Sequence, residues 1–299
     1  MTTEQAAVNG ISITFEDKGP RDAPVILLVM GLGGQLTLWP DEFVDALNAR
    51  GFRTIRYDNR DVGLSTRFDA AGVPNLKWMF VKSLLRLPVR SAYTLADMAA
   101  DGVALLDHLG IARAHIVGVS MGGMISQHIA ARYPDRVLSL TSVMSTTGNP
   151  RLPRAQKEAM QVLTSRPMSG DPEDLIAYSV RAAKVIGSPG YPPDEERLQR
   201  RVRSDFERGW YPQGVARQMA AIVADGDRRP MLKSIGAPTL VIHGEGDPLV
   251  PLAGGRDTAD NIPGARLLTI PGMGHDLPLG LVDTLADAIA GHAGAVARA

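Results

Sequence analysis

A serine in a glycine-rich turn is the residue of this chain best suited to chemistry. Ser120 lies in the pentapeptide Gly118-Val119-Ser120-Met121-Gly122, after an apolar β-type segment and before a helix-forming run. A serine hydroxyl attacks a carbonyl carbon only when a base takes its proton and when the hydroxyl protrudes from the backbone. A tight strand-to-helix turn with a glycine on either side provides that protrusion. The sequence therefore predicts that Ser120 is a nucleophile at the end of a strand.

A base and an acid for this serine occur later in the chain. His275 closes the glycine-rich run 271–275, after the last predicted strand. An imidazole with a pKa of about 6.5 can accept a hydroxyl proton near neutral pH. Glu245 and Asp247 both follow the preceding strand and could orient that imidazole. We expect Asp247 to do so, because a turn that ends in Asp-Pro is rigid, and Glu245 is the alternative.

Attack on a carbonyl places negative charge on its oxygen, and two backbone N–H groups are needed to stabilise that charge. Met121 directly follows the proposed nucleophile and could supply one of them. The other is expected from Leu32, in the loop Met30-Gly31-Leu32-Gly33-Gly34. The glycines of this loop would allow its backbone to approach a substrate closely.

Short apolar, β-branched runs alternate with helix-type periodicity along most of the chain. Such runs are typical of parallel strands covered on both faces. Helical stretches at 41–48, 95–109 and 277–289 accompany them. The pattern predicts an α/β fold with a doubly wound, mostly parallel sheet. The predicted strands are 25–29, 53–57, 114–118, 137–143, 239–243 and 266–270.

The strand pattern stops between Asn149 and Arg229 and then resumes. We expect this segment to be an inserted helical cap over the strand ends where Ser120 lies, rather than a set of unrelated surface helices. The predicted organisation is a first part of the core at 1–149, the cap at 150–228 and a second part of the core at 229–299. The helical stretches of the insert are 154–165, 172–186, 193–208 and 212–224.

The composition narrows the class of protein. The 299 residues are 44% hydrophobic, carry no formal net charge and include no cysteine. A neutral chain has no overall field that would favour nucleic acid or an anionic membrane. The six histidines show no metal-binding spacing, so we expect neither a metal nor a cofactor. The start of the chain does not resemble a signal peptide and no apolar run could span a bilayer, so we expect a cytoplasmic protein. No feature predicts an oligomeric state.

A second excursion, at 68–90, combines crowded apolar residues with four cations. It could form an interfacial helix that contacts lipid. We expect instead that it packs onto its own domain and helps to line an entrance.

Five segments of the chain together resemble the α/β-hydrolase superfamily. Within it the chain is similar to the aclacinomycin methylesterase group and to related bacterial lipases and esterases that share the run 56–61. The order serine, aspartate, histidine is also that of the superfamily. The resemblance implies a cap domain, no cofactor, and ester hydrolysis through an acyl-enzyme on Ser120. The segments are 30–34, 57–65, 118–122, 244–247 and 272–275.

Three features depart from the family pattern. Met30-Gly31 stands where many relatives have His-Gly, Asp61 follows Arg60 where a glycine is usual, and the 68–90 excursion is an addition. These differences concern the substrate more than the chemistry.

A serine at position 120 argues against dehalogenases and most epoxide hydrolases, which use aspartate on this fold. We expect a serine hydrolase that cleaves carboxylic esters of hydrophobic small molecules, because every helix of the predicted cap carries apolar side chains. The alternatives are a lipase, phospholipase or thioesterase acting at a lipid surface, and a carbon–carbon bond hydrolase with the same three residues. A binding protein that has lost catalysis is a further class, but such proteins usually lack one of the three.

Overall fold

One sheet of eight strands runs through the part of the chain that the structure describes. The computed structural model describes residues 3–85, 87–165 and 170–296, without the side chains of 83, 84 and 296. Some of the predicted segments therefore include residues outside the described ranges. Among these residues are Arg86 in the 68–90 excursion, 166–169 in the cap and 297–299 in the second part of the core. The strands are β1 (Glu4–Val8), β2 (Ile11–Lys18), β3 (Val25–Val29), β4 (Arg53–Tyr57), β5 (Ala114–Val119), β6 (Val137–Val143), β7 (Thr239–Gly244) and β8 (Arg266–Ile270).

The strand order is β1-β2-β4-β3-β5-β6-β7-β8. The β1–β2 and β2–β4 pairs are antiparallel, and the five other pairs of this sheet are parallel. The predicted mostly parallel α/β sheet is therefore confirmed. Each of the six predicted strands is present, and β5 and β7 extend one residue further than predicted.

The β1–β2 hairpin is an element that the prediction missed. Its turn is Asn9-Gly10, and both residues have a positive φ, of 48° and 75°. Two left-handed residues in a two-residue hairpin match the right-handed twist of the strands that they join. Asn-Gly between alternating apolar residues was the signal that could have identified it.

Helices cover both faces of the sheet, as a doubly wound fold requires. Ile26 and Leu28 of β3 pack on one face with α1 (Asp41–Ala49) and α11 (Val282–Val296), while Leu27 and Val29 pack on the other with α3 (Leu95–His108) and α4 (Met121–Arg132). Alternate side chains of a strand point to opposite faces, so a continuous apolar run fills two cores. These and the other helices outside the insert are α1 (Asp41–Ala49), α2 (Leu76–Leu84), α3 (Leu95–His108), α4 (Met121–Arg132), α9 (Arg229–Leu232), α10 (Leu252–Asn261) and α11 (Val282–Val296).

The C-terminal helix begins later than the predicted residue 277. A 3₁₀ turn at Leu279–Leu281 comes first, and α11 starts at Val282. A residue that precedes proline is disfavoured in the α conformation, and Pro278 follows Leu277 directly. The prediction overlooked this proline.

The segment predicted to be an insert contains four helices among its described residues, and the short α9 follows them before β7. Two of them enclose a small apolar cluster of their own, formed by Ile176, Val180, Leu198 and Val202. The strict division at 150 and 228 stays a prediction. The four helices are α5 (Lys157–Thr164), α6 (Pro172–Ile186), α7 (Glu195–Gly209) and α8 (Pro212–Asp225).

The 68–90 excursion contains the helix α2, which packs against α8. Met79 is buried there, whereas Trp78, Phe80 and Val81 are exposed. Among the described residues, no helix combines the length and the apolar character needed to cross a bilayer.

Candidate active site

Ser120 occupies a strained turn between β5 and α4. Its φ of 55° and ψ of −121° lie in a region that L-residues rarely adopt. The Ser120 N–H donates to the carbonyl oxygen of Val143 at 2.9 Å, and the Ser145 hydroxyl donates to the Ser120 carbonyl at 2.8 Å. These bonds from β6 and the loop after it hold the backbone in a conformation that lifts the hydroxyl out of the chain.

The two glycines of the pentapeptide are required by space. A Cβ on Gly118 would lie 2.2 Å from the carbonyl oxygen of Gly122, and one on Gly122 would lie 2.0 Å from that of Val29. Backbone atoms cannot yield at such distances. Any side chain at either position would therefore displace α4 from the sheet.

Ser120, His275 and Asp247 are brought together at the carboxyl ends of the parallel strands. The distance between His275 Nε2 and Ser120 Oγ is 2.9 Å, and that between His275 Nδ1 and Asp247 Oδ2 is 2.7 Å. A carboxylate only accepts hydrogen bonds, so these partners assign the proton to Nδ1 and leave the lone pair of Nε2 facing the serine hydroxyl. The arrangement can transfer the serine proton to the imidazole.

Asp247 is held by the turn that follows it. Its Oδ1 accepts the N–H groups of Leu249 and Val250, at 2.9 and 2.8 Å, which leaves Oδ2 for the histidine. Glu245, the alternative acid, is exposed and its carboxylate accepts the hydroxyl of Thr269 instead. The structure thus places Asp247, and not Glu245, against the imidazole.

His243, in β7, stabilises the same turn by a hydrogen bond to its backbone. Its Nε2–H donates to the carbonyl of Val250 at 2.8 Å, and burial lowers the pKa of its ring. A neutral ring in this tautomer fixes the backbone that presents Asp247.

The loop that carries His275 is bound by the last residue of α6 and by the segment that follows this helix. The His275 N–H donates to the carbonyl of Ile186 at 2.8 Å, and the Gly274 N–H donates to Ser188 Oγ at 2.8 Å. The Ser188 hydroxyl in turn donates to Asp276. The insert therefore positions the imidazole, a role that no local pattern predicted.

The loop expected to stabilise an oxyanion lies directly beside the serine. A Cβ on Gly31 would come within 3.1 Å of Ser120 Cβ. Within the described ranges, no group accepts a hydrogen bond from the backbone N–H of Leu32 or of Met121. Both expected donors are thus uncommitted within the protein.

Gln218, in helix α8 of the insert, holds the loop 30–34 in place through its side chain. Its Oε1 accepts the Gly33 N–H at 2.8 Å, and its Nε2 donates to the carbonyl of Arg60 at 2.8 Å. The side chain is fully buried. Asn59 adds a second anchor, since its side-chain amide donates to the Met30 carbonyl at 3.0 Å. One face of the loop is therefore fixed, and the Leu32 N–H is not used in fixing it.

Asp61, one of the departures from the family pattern, forms a buried ion pair. Arg217 in α8 contacts its two carboxylate oxygens at 2.7 and 2.8 Å, and both side chains are almost completely buried. Asp61 has a φ of 67°, the left-handed conformation that favours glycine. The left-handed conformation costs an aspartate more free energy than it would cost a glycine. The ion pair of the Asp61 carboxylate with Arg217 holds α8 against the core.

Charges that could hold a metal do not converge in the described part of the chain. No group of three or more histidines and carboxylates lies close enough to bind an ion there.

The chain matches known proteins over almost its whole length. A profile of the alpha/beta hydrolase fold family matches residues 24–279. The rhodomycin D methylesterase DauP of Streptomyces sp. (strain C5) is 32% identical over an alignment of 316 positions, gaps included, which spans 98% of each chain.

Solved structures agree with this match. The enol-lactonase from Burkholderia xenovorans LB400 is similar with a TM-score of 0.71 and 26% identity, over 97% of this chain and 99% of that one. The meta-cleavage product hydrolase from Pseudomonas fluorescens IP01 reaches a TM-score of 0.75 over 98% and 97% of the two chains. At 19% identity its likeness shows the fold alone. The sequence match, the sheet order and these neighbours agree, and the chain belongs to the α/β-hydrolase family.

Proposed function

We propose that the protein is a serine hydrolase that cleaves carboxylic esters of hydrophobic small molecules through an acyl-enzyme on Ser120. The observation that carries the proposal is the hydrogen-bonded series from Ser120 Oγ through His275 to Asp247, at 2.9 and 2.7 Å. Nucleophile, base and orienting acid in one contact series are the requirement for acyl transfer at a serine.

In the first half of the reaction, His275 Nε2 takes the hydroxyl proton as Ser120 Oγ attacks the ester carbonyl. Asp247 stabilises the imidazolium that forms, and the N–H groups of Leu32 and Met121 receive the oxyanion. When the intermediate collapses, the ester C–O bond breaks and His275 returns the proton to the leaving alcohol. In the second half water takes the place of the serine hydroxyl, and the acid is released.

Two similarities support an ester as the substrate. The relative at 32% identity is named a methylesterase, and the similar structure at 26% identity is named an enol-lactonase. A lactone is an internal ester, so both names describe cleavage of a bond between an acyl carbon and oxygen.

An apolar contact beside the proposed oxyanion loop supports a hydrophobic substrate. The side chain of Val215 in α8 fills the space that a Cβ on Gly33 would need, with 2.9 Å between them. Leu32 is half-buried in the same loop. We also propose that residues 150–228 act as the cap that shapes the acyl and alcohol pockets.

Substitution of the nucleophile tests the proposal. Ser120→Ala should lower kcat for a short p-nitrophenyl ester by at least about 10⁴-fold, since removal of a triad serine alone has an effect of that size or larger. Ser126→Ala is the matched control, because Ser126 is a buried serine of α4, the helix that follows Ser120, and its hydroxyl has no partner among the described residues. Hydrolysis retained in Ser120→Ala, with circular dichroism unchanged, would refute the assignment.

A further inference from the structure

Exposed apolar side chains are concentrated in one short stretch of the surface. Large apolar side chains that are scattered singly need no explanation, but a contiguous group indicates an interaction surface. Here they extend from residue 73 to residue 87, and the helix α2 lies in the middle of that range. The exposed members are Val73 (52%), Trp78 (54%), Phe80 (44%), Val81 (43%), Leu85 (60%) and Leu87 (49%).

The same stretch is strongly cationic. The chain as a whole has no net charge, yet no acidic residue occurs between Asp69 and Asp97, while two lysines and two arginines do. Within the described part of the chain, no carboxylate forms an ion pair with Lys77, Lys82 or Arg90. These charges are therefore available to an external anion.

Contacts with the rest of the protein hold helix α2 so that its exposed apolar and cationic side chains face the solvent. The side chain of Asn75 accepts the Trp78 N–H at 3.0 Å at the start of the helix, and Met79 is buried. The Lys82 ammonium lies over the Trp78 ring, 5.8 Å from its centroid. The base of the excursion is held by Arg217, which donates to the carbonyl of Gly72 at 2.8 Å. The exposure of the apolar side chains follows from how this helix is held.

We propose that α2 and its described flanks, residues 73–85 and 87–90, form an interfacial anchor that docks on an anionic lipid bilayer. Exposed tryptophan, phenylalanine and leucine side chains suit the boundary between headgroups and acyl chains, and lysines beside them pair with anionic headgroups. The absence of acidic residues over this stretch of sequence complements a surface of negative charge. The proposal does not depend on the catalytic roles of Ser120, His275 or Asp247.

Flotation of the full chain with vesicles tests the proposal. We expect binding to vesicles of equal parts phosphatidylglycerol and phosphatidylcholine, release by 1 M salt, and binding to pure phosphatidylcholine that is at least tenfold weaker. The emission of Trp78 should shift to shorter wavelength on binding. Failure to bind anionic vesicles at low salt would overturn the proposal.

Variants separate the two components of the surface. Lys77→Gln/Lys82→Gln should weaken binding about 30-fold, as expected for two lysines near an anionic surface. Trp78→Gln/Leu85→Gln should weaken it at least tenfold by removing apolar contact. Trp210→Gln is the matched control, because Trp210 is exposed to a similar degree (42%) outside this stretch. Its affinity should equal that of the wild type.

Two results of the variant series would contradict the assignment. An equal loss of vesicle binding in Trp210→Gln would show that any exposed tryptophan suffices. Dimerisation of the wild type in light scattering, abolished by Trp78→Gln without any effect on vesicle binding, would show that a second copy covers this surface. Melting curves identify a variant that does not fold. Lys77→Gln alone then provides the test, because within the described part of the chain Lys77 forms no ion pair, and it should weaken binding about fivefold.

Discussion

Replacement of Arg217 by methionine should lower the free energy of unfolding by about 3–5 kcal/mol, because it leaves the buried Asp61 carboxylate without its cation. The side chains of Arg217 and Asp61 are 2% and 0% exposed, so solvent cannot take the place of the guanidinium. The Phe68 N–H donates to Oδ1 of that carboxylate at 2.8 Å, and the Tyr93 hydroxyl lies beside it. Neutral donors of this kind cannot compensate a full negative charge in the interior.

Substitution of the other partner, Asp61→Gly, should lower the free energy of unfolding by less. It removes the same ion pair but also relieves the φ of 67° at this position. A left-handed conformation costs a residue other than glycine about 1–2 kcal/mol, so the net loss should be about 2–3 kcal/mol. Arg217 would keep the Gly72 carbonyl and the Tyr211 hydroxyl as partners.

A double-mutant cycle in urea measures the coupling. The combined variant Arg217→Met/Asp61→Gly leaves no unpaired buried charge and should lose less than Arg217→Met alone, which gives a coupling of at least about 2 kcal/mol. Unfolding is followed by tryptophan fluorescence and by circular dichroism at pH 7.5, and the two curves must coincide. Arg203→Met is the control, because Arg203 makes a bidentate pair with Glu173 at similar distances in an exposed position. Its urea midpoint should not change. Additive effects, or an Arg217→Met variant as stable as the control, would refute the reasoning.

Two further predictions concern the oxyanion loop and the buried histidines. Gln218→Leu frees the Gly33 N–H and should lower kcat by about 10–100-fold with a smaller change in KM; equal losses in the two parameters would mean that Gln218 acts in binding. Burial lowers the pKa of His115 to about 4, so the unfolded chain takes up a proton first as the pH falls below about 6.5. Stability should therefore fall by about 3 kcal/mol between pH 6.5 and 4, and His115→Gln should show a shallower fall in urea titrations at pH 7.5 and 4.5. Parallel profiles for the two proteins would contradict this.

The parts of the fold that the sequence predicts are those with local, repeating signals. The five residues of β3 are apolar because both faces of the strand are covered, and this makes the strand visible in the sequence. The helix α6 begins with Asp171 as its cap and Pro172 at its first position, and its predicted bounds are confirmed. The Asn9-Gly10 pair is an equally clear local signal of a hairpin turn, although the predicted strands did not include β1 and β2.

The proposed site was predictable in part for a similar reason. Ser120, Asp247 and His275 follow strand ends, and the carboxyl ends of parallel strands meet at one edge of the sheet. Their contact follows from the topology, while their catalytic roles stay predictions. Ile186, Ser188 and Gln218 could not be identified, because their contacts join residues 86 to 185 positions apart. Such contacts depend on how the insert packs, and its amphipathic helices carry no pattern that specifies a partner.

Labelling with a fluorophosphonate tests the central claim most directly, because this probe reacts with a serine only when a base activates it. Intact-mass and peptide analysis should find one adduct, on Ser120, formed within minutes in the wild type and at least about 10³-fold more slowly in His275→Ala. An adduct on another residue, or an unchanged rate in His275→Ala, would contradict the proposed relay from Ser120 to Asp247.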